Sequence, residues 1–317
     1  WYDRLKSYSE AIAGGLATLT QSYDFIASEG LGAAQTALSA PGPIFRPFAA
    51  VGGGSLRYET GSHVDVKGFS ALVGAALAPE FSNGKMLFGV FMEGGKNDYD
   101  TYSFIPNYRD VDGKGDSTYF GAGLMFRYTL TGGAASGLYV EASTRFGKSR
   151  TKFHTLDILH NNDPASFNIS TNYYGFHGGL GYVIPLGGNG LNLDLSAKLF
   201  YLHQQGANAI VHGDLVNFDN ADSLRLLAGG RLNFRSAGIV RPYVGAYFNH
   251  EFKGDARATV NDRPIAAPTL KGSSGKAELG IVLHPSESIP IFLDLGVQGY
   301  FGRVRGVSGT ASFRYNF

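Results

Sequence analysis

The sequence predicts an all-β fold: a 12-stranded antiparallel transmembrane β-barrel with an N-terminal α-helix in its lumen. Three observations carry this expectation. From Pro43 to the C-terminus apolar and polar residues alternate with period two, over stretches longer than most soluble strands. The chain is poor in charge and rich in glycine and aromatic residues, and its first 40 residues repeat with a helical period instead.

Composition narrows the class. Of 317 residues 45 are glycine, about 14% against a usual ~7%, and charged residues make up 17% where ~25% is ordinary. Surface charge is therefore scarce. With 27 Lys+Arg against 26 Asp+Glu there is no basic field to attract phosphates, so no nucleic-acid partner is expected. The absence of Cys removes disulfides, thiol catalysis and thiolate metal sites. The longest apolar runs, such as residues 71–78, are far short of the ~18 residues of a membrane helix. A membrane strand needs only ~9–11 residues and leaves overall hydropathy near neutral, and the mean hydropathy here is -0.07. The chain begins at Trp1 with neither Met nor a signal peptide, which reads as a processed or truncated product.

The first element is the helix. Leu5, Tyr8, Ile12, Leu16, Leu19, Tyr23 and Ile26 recur at steps of three and four. Gly14, Gly15, Gly30 and Gly32 weaken the helix locally, and Pro41-Gly42-Pro43 ends it, so it is expected over residues 3–38 in one or two pieces. At 1.5 Å per residue it reaches ~50 Å, enough to cross a ~30 Å hydrocarbon core, but its polar residues exclude contact with lipid. Two units follow: residues 1–43 as helix and linker, and 44–317 as the barrel.

The strands come next. In the last one Val307, Gly309, Ala311, Phe313, Tyr315 and Phe317 alternate with Ser308, Thr310, Ser312, Arg314 and Asn316. Leu191, Leu193, Leu195, Ala197 and Leu199 oppose Asn192, Asp194, Ser196 and Lys198 in the same way. Twelve such segments are found, at about 44–58, 63–78, 85–99, 116–130, 137–153, 168–185, 190–205, 222–235, 238–253, 273–284, 289–301 and 305–317. Connections 78–85, 130–137, 185–190, 235–238 and 284–289 are short, whereas 96–115, 150–167, 205–221 and 254–272 are long and polar. Outer-membrane barrels have this asymmetry, and an even strand count places both barrel ends on the short-turn side.

A soluble all-β protein also alternates, but the polar faces here collect charges that a dry sandwich core would not hold. They are Arg127, Glu141, Arg145, Asp194, Lys198, Arg225, Arg231, Glu251, Glu278 and Arg314. If the apolar faces meet lipid, these residues line a lumen where opposite charges pair or meet water. Twelve strands leave room for one helix ~10–12 Å across, and Tyr8, Ile12, Leu16, Leu19 and Tyr23 are its expected packing residues as a plug. Arg127, Arg145, Arg225 and Arg231 are expected to reach Asp3, Glu10, Asp24 or Glu29 on it.

Helix, twelve strands and a terminal Phe, with the stretches RYETGSHVDVKGFSALVGAALA, RPYVGAYFNHEF (Arg241 to Phe252) and TASFRYNF ending in Phe317, resemble the C-terminal translocator domain of the type V autotransporters. The resemblance covers essentially the whole chain. It implies a monomer in the bacterial outer membrane that secretes or anchors an upstream passenger at the cell surface, the helix remaining in the pore. It also implies outer-membrane lipid, the barrel-assembly machinery and periplasmic chaperones as partners, with Phe313, Tyr315 and Phe317 as the assembly signal. One departure stands out. Protease-type members release the passenger through an asparagine in the helix, and residues 1–50 contain no Asn; Asn161-Asn162 falls in an expected surface loop.

Enzymatic readings find no support in spacing. The eight His residues are at 63, 154, 160, 177, 203, 212, 250 and 284, and no HExxH, GxSxG, P-loop or EF-hand pattern occurs. Asp110, Asp112 and Asp116 lack the downstream Glu of a calcium loop. No catalytic site, metal or cofactor is expected. The alternative function is a passive outer-membrane channel with a helical plug, but such a channel has no need of a 40-residue Ala-rich helix before its first strand.

Overall fold

The alternating segments close into one barrel. The computed structural model describes every residue except 1, 38–44, 106–108, 188–189, 235–238, 284–290 and 316–317. Its twelve long strands are β1 (Phe45–Glu59), β2 (His63–Leu77), β3 (Gly84–Ser103), β4 (Val111–Leu130), β5 (Leu138–His160), β6 (Asp163–Leu186), β7 (Leu191–Gln204), β8 (Ala221–Phe234), β9 (Val240–Glu251), β10 (Gly272–Leu283), β11 (Ile291–Gly302) and β12 (Val304–Tyr315). Each pairs antiparallel with its chain neighbours, and β1 pairs with β12 from Phe48↔Arg314 to Tyr58↔Val304. Closure pairs each long strand on both sides and, among the described residues, leaves no long edge exposed in the bilayer.

The period of two sorts residues between the faces. Val73, Phe146, Leu180, Leu279 and Val297 point outward and are exposed, while Glu141, Arg145, Glu278, Gln298 and Arg314 point inward and are buried. The inward direction is polar because it faces other protein groups, and the outward one is apolar because it faces hydrocarbon.

The strands on one side are longer than the pattern indicates. Segments 96–115 and 150–167, expected as long loops, are largely strand: β3 runs to Ser103, β4 starts at Val111, and β5 and β6 reach His160 and Asp163. Above the bilayer neither face of a strand has to be apolar, so the alternation that marks a membrane strand disappears there. The Asn161-Asn162 pair is the hairpin tip itself, with φ of 49° and 64° at the two residues, the left-handed conformation that a two-residue turn demands and Asn tolerates. Segment 205–221 also holds a hairpin, Ala207–Val211 with Asp214–Phe218, which joins Ala258–Val260 and Arg263–Pro264 in a four-stranded sheet over this mouth.

The helix fills the interior. A 3-10 turn (Tyr2–Leu5) leads into α1 (Lys6–Phe25), a π-helical turn (Ile26–Gly30) and α2 (Leu31–Ala37). Gly14-Gly15 does not weaken it as expected. A Cβ on Gly14 would sit 3.1 Å from the Tyr99 ring and one on Gly15 2.9 Å from Thr151 Oγ1, so these glycines let the helix approach the β3–β5 wall. The irregularity falls instead at the π turn that ends on Gly30. The expected terminator Pro41-Gly42-Pro43, and Leu38, lie outside the described residues.

Candidate functional site: the helix in the barrel lumen

The helix and the wall around it form the site. Tyr8, Ile12, Leu16 and Leu19 are buried in an upper apolar cluster with Tyr99, Phe153 and Phe167, the Tyr8 ring meeting Phe153 and Phe167 edge-on at 5.9 and 6.0 Å. Tyr23 belongs to a lower cluster with Leu72, Phe91, Met125 and Phe200. A helix buried on nearly every side needs small residues on the faces that lack large ones, and Ala11, Ala13, Ala17, Ser7 and Ser9 supply them.

The helix has a defined direction. Its N-terminal end lies at the long-hairpin mouth: Arg4 donates to the Asp157 carbonyl, Lys6 Nζ donates to Ser62 Oγ at 3.1 Å, and Thr60 Oγ1 donates to Glu10 Oε1 at 3.0 Å. Its C-terminal end lies among Phe48, Leu72, Ala76 and Leu87, at the short-turn end where β1 begins.

Two arginines bind the helix backbone. Arg145 of β5 donates through Nη1 to the Leu19 carbonyl at 2.8 Å and through Nη2 to Ser22 Oγ at 2.9 Å, while its Nε donates to Glu93 Oε1 at 2.8 Å. The Tyr23, Tyr119 and Tyr173 rings surround its guanidinium at 4.8–5.6 Å. Arg225 of β8 pairs with Asp24 Oδ2 at 2.7 Å and donates to the Thr20 carbonyl at 3.1 Å. Lys198 Nζ donates to the Ala27 carbonyl at 2.9 Å and lies 2.7 Å from Glu141 Oε1. A carbonyl in mid-helix already accepts its own ladder bond, and its second lone pair is what these cations use.

The remaining charges pair within the wall. Arg127 meets Glu141 at 3.4 Å and stacks over Tyr139 at 3.5 Å. Arg231 meets Glu278 at 2.6 Å. Asp194 accepts from the Tyr139 hydroxyl at 2.7 Å, and Glu251 from Ser223 Oγ at 2.5 Å and the Leu224 amide at 2.8 Å. Arg314 is buried on the inner wall. Of the expected helix pairings only Arg225 with Asp24 forms directly: Asp3 is exposed, and Glu10 pairs with Lys6 of its own helix at 3.2 Å. Arg127 finds its partner directly opposite on the neighbouring strand, and Arg231 reaches Glu278 two strands away across Gly245, which puts no side chain between them. Phe313 is outward and exposed, Tyr315 is the last described residue of β12, and Phe317 lies outside the described residues.

Some participants escape the sequence reading. Glu93 ends the apolar run from Met86 to Met92, which occupies both faces of β3 and leaves the inward direction ambiguous; its isolation there was the available signal. His177 is also buried, with Nδ1 3.2 Å from Ser143 Oγ and Nε2 3.3 Å from Glu141 Oε1, and its ring lies edge-on to Tyr23 at 6.4 Å. The loop histidines His160 and His212 do come together, with ring centroids 5.5 Å apart and Asp163 3.8 Å from His212, yet no group able to hold a metal is found among the described residues.

The helix is packed on every side but one. Between residues 7 and 34 only Gln21, Asp24, Ser28 and Gly32 are not buried, and their helical spacing places them on one stripe. The stripe faces two small polar cavities of about 40 and 30 Å³, bounded by Lys276, Gln298, Tyr300, Ser308 and Arg225. These are large enough for one or two waters each, not for an open channel.

A closed twelve-stranded barrel with an apolar girdle and a helix in its lumen defines a membrane transport barrel. The family is shown by sequence: the model described as Autotransporter beta-domain matches residues 48–296, and the chain belongs to that family. Among solved structures, the fold is similar to the transport unit of the autotransporter AIDA-I from Escherichia coli, at TM-score 0.71 and 15% identity over 86% of this chain and 90% of that one. It is also similar to the beta domain of the Bordetella autotransporter BrkA, at TM-score 0.66 and 17% identity over 87% and 100% of the two chains. The translocator domain of NalP from Neisseria meningitidis gives TM-score 0.64 and 15% identity over 95% and 98%. No curated protein matches the sequence. The chain is thus an autotransporter translocator domain of the bacterial outer membrane, and the family implies an attached passenger.

Proposed function

We propose that this domain carries a passenger joined upstream of Trp1 to the cell surface, and that the helix then stays as a stable plug held by Arg145, Arg225 and Lys198. The direction of the helix carries the reading. Its N-terminal end meets Asp157, Ser62 and Thr60 at the long-hairpin mouth, so polypeptide upstream of it leaves on the outer side. The passive-channel reading is disfavoured by the sealed lumen, in which a channel would carry a large buried interface without use.

In this reading the domain works by transport and has no catalytic activity of its own. The passenger stays attached or is cut by another protease, since the helix offers no Asn between residues 1 and 50. Outer-membrane lipid, the barrel-assembly machinery and periplasmic chaperones are the partners, the domain acts as a monomer, and Phe313, Tyr315 and Phe317 form the assembly signal. The Cys-free sequence provides a direct test. A single thiol introduced as Asp3→Cys should react with a membrane-impermeant maleimide on intact cells. Reaction only after the outer membrane is permeabilised would reverse the direction and reject the proposal.

A further inference from the structure

The outer wall of β3–β6 changes chemistry within two residues along the strands. Met92, Ala122, Phe146 and Tyr174 are paired directly across the four strands and form an apolar row facing lipid. Two residues closer to the cell-surface end, Gly94, Phe120, Lys148 and Asn172 form the next row; two residues further, Lys96, Thr118, Arg150 and Ser170 form another. Directly paired residues share a face, so these side chains stand together on the outside of the barrel. Lys96, Lys148 and Arg150 are all exposed.

No carboxylate shares these two rows. The first ones, Asp98 and Asp116, stand in the row beyond, where Lys152 Nζ already meets Asp116 at 3.2 Å. Lys96 is 3.9 Å from Asp98 in a solvated pair, Arg150 Nε donates to the neutral Asn168 amide oxygen at 2.8 Å, and Lys148 has no charged partner among the described residues. The result is an excess of positive charge at the level where the hydrocarbon row ends. Strand spacing sets the scale: Lys148 and Arg150 stand ~7 Å apart along β5, and Lys96 two strands away, at ~10 Å. Thr118, Ser170 and Asn172 add neutral hydrogen-bonding groups between and beside the cations.

We propose that Lys96, Lys148 and Arg150 bind the phosphate of a lipid headgroup in the outer leaflet, with its acyl chains on the Met92, Phe146 and Tyr174 row. A phosphate accepts from an Arg fork and from Lys ammonium groups at once. Position argues for a lipid over a soluble phosphate: the cations sit directly above an apolar row, so a molecule with both a phosphate and acyl chains matches both rows, whereas a free anion matches only one. The interaction orients the longer β3–β6 side of the barrel in the membrane.

The test uses the full chain purified in a neutral detergent, with diphosphorylated lipid A as the probe and binding measured by native mass spectrometry. Phosphate-free lipid A and inorganic phosphate form the comparison arms. Binding of the diphosphorylated lipid, weak binding of the phosphate-free one, and no competition by millimolar inorganic phosphate are expected. The variant Lys96→Gln/Lys148→Gln/Arg150→Gln should bind ~100-fold more weakly, about fivefold per cation. If that variant does not assemble, Lys148→Gln alone should lose about fivefold while Lys148→Arg retains binding. Equal binding of both lipids, or binding unchanged by the substitutions, overturns the proposal. Efficient competition by inorganic phosphate reassigns the cluster to a soluble anion and equally overturns it.

Discussion

Arg145 Nε donates to Glu93 Oε1 at 2.8 Å, and the pair lies closed off from solvent between the barrel wall and the helix. The same guanidinium holds the Leu19 carbonyl and Ser22, so one wall residue neutralises a buried carboxylate and ties the helix in place. An ion pair taken out of water is costly to break from one side, because the remaining charge keeps its desolvation cost and loses its partner.

Replacing Arg145 by Met should therefore destabilise the folded domain by about 3–5 kcal/mol, with Glu93 left buried and unpaired. Arg145→Met with Glu93→Gln should recover part of that loss. Denaturant titration of the folded, heat-modifiable form measures both, and a single variant as stable as the parent would show that the pair carries no such role.

Gly15→Leu should dislodge the helix and leave the barrel assembled. A Cβ there already meets Thr151 Oγ1 at 2.9 Å, and a larger side chain has no room against β5. The variant should reach the membrane in normal amounts and show higher ion conductance than the parent.

The mouth over the helix should loosen in acid. Partial burial raises the Asp255 pKa, but hydrogen bonds from Lys271 and Thr269 and the charges of Lys271 and Arg257 outweigh it and hold the carboxyl below its ordinary value. A carboxylate lowered on folding stabilises the folded loop fully above its unfolded pKa, and this contribution is lost as the pH falls through the folded one. Protease cleavage within residues 254–271 should thus accelerate below the ordinary Asp range. Asp255→Asn should lose the part of this acid dependence that Asp255 carries, so its cleavage rate should rise less between neutral and acid pH than the parent's.

How much of this was legible in the sequence depends on distance along the chain. Strand phase is local, and the alternation from Leu191 to Leu199 or from Val307 to Phe313 needs only one buried and one lipid-facing side to be read. The helix was legible for the same reason, through the spacing of Tyr8, Ile12, Leu16, Leu19 and Tyr23. Partners were not. Arg145 reaches a carbonyl 126 residues away, and no side-chain type marks a carbonyl as an acceptor. The upper parts of β3 to β6 read as loops because, beyond the bilayer, neither face needs to be apolar, and Asn161-Asn162, the hairpin tip, read as part of such a loop. Gly14 and Gly15 read as local weak points of the helix because propensity is a local property, whereas their close approach to Tyr99 and Thr151 is a tertiary one.

The central claim is that the helix seals the pore, and single-channel conductance in planar bilayers tests it most directly. The full chain should conduct at a low level, since the cavities beside Gln21, Asp24 and Ser28 hold one or two waters each and form no open channel. The chain lacking residues 1–39 should conduct many times more, through a lumen emptied of its helix. Equal conductance of the two proteins would contradict the account.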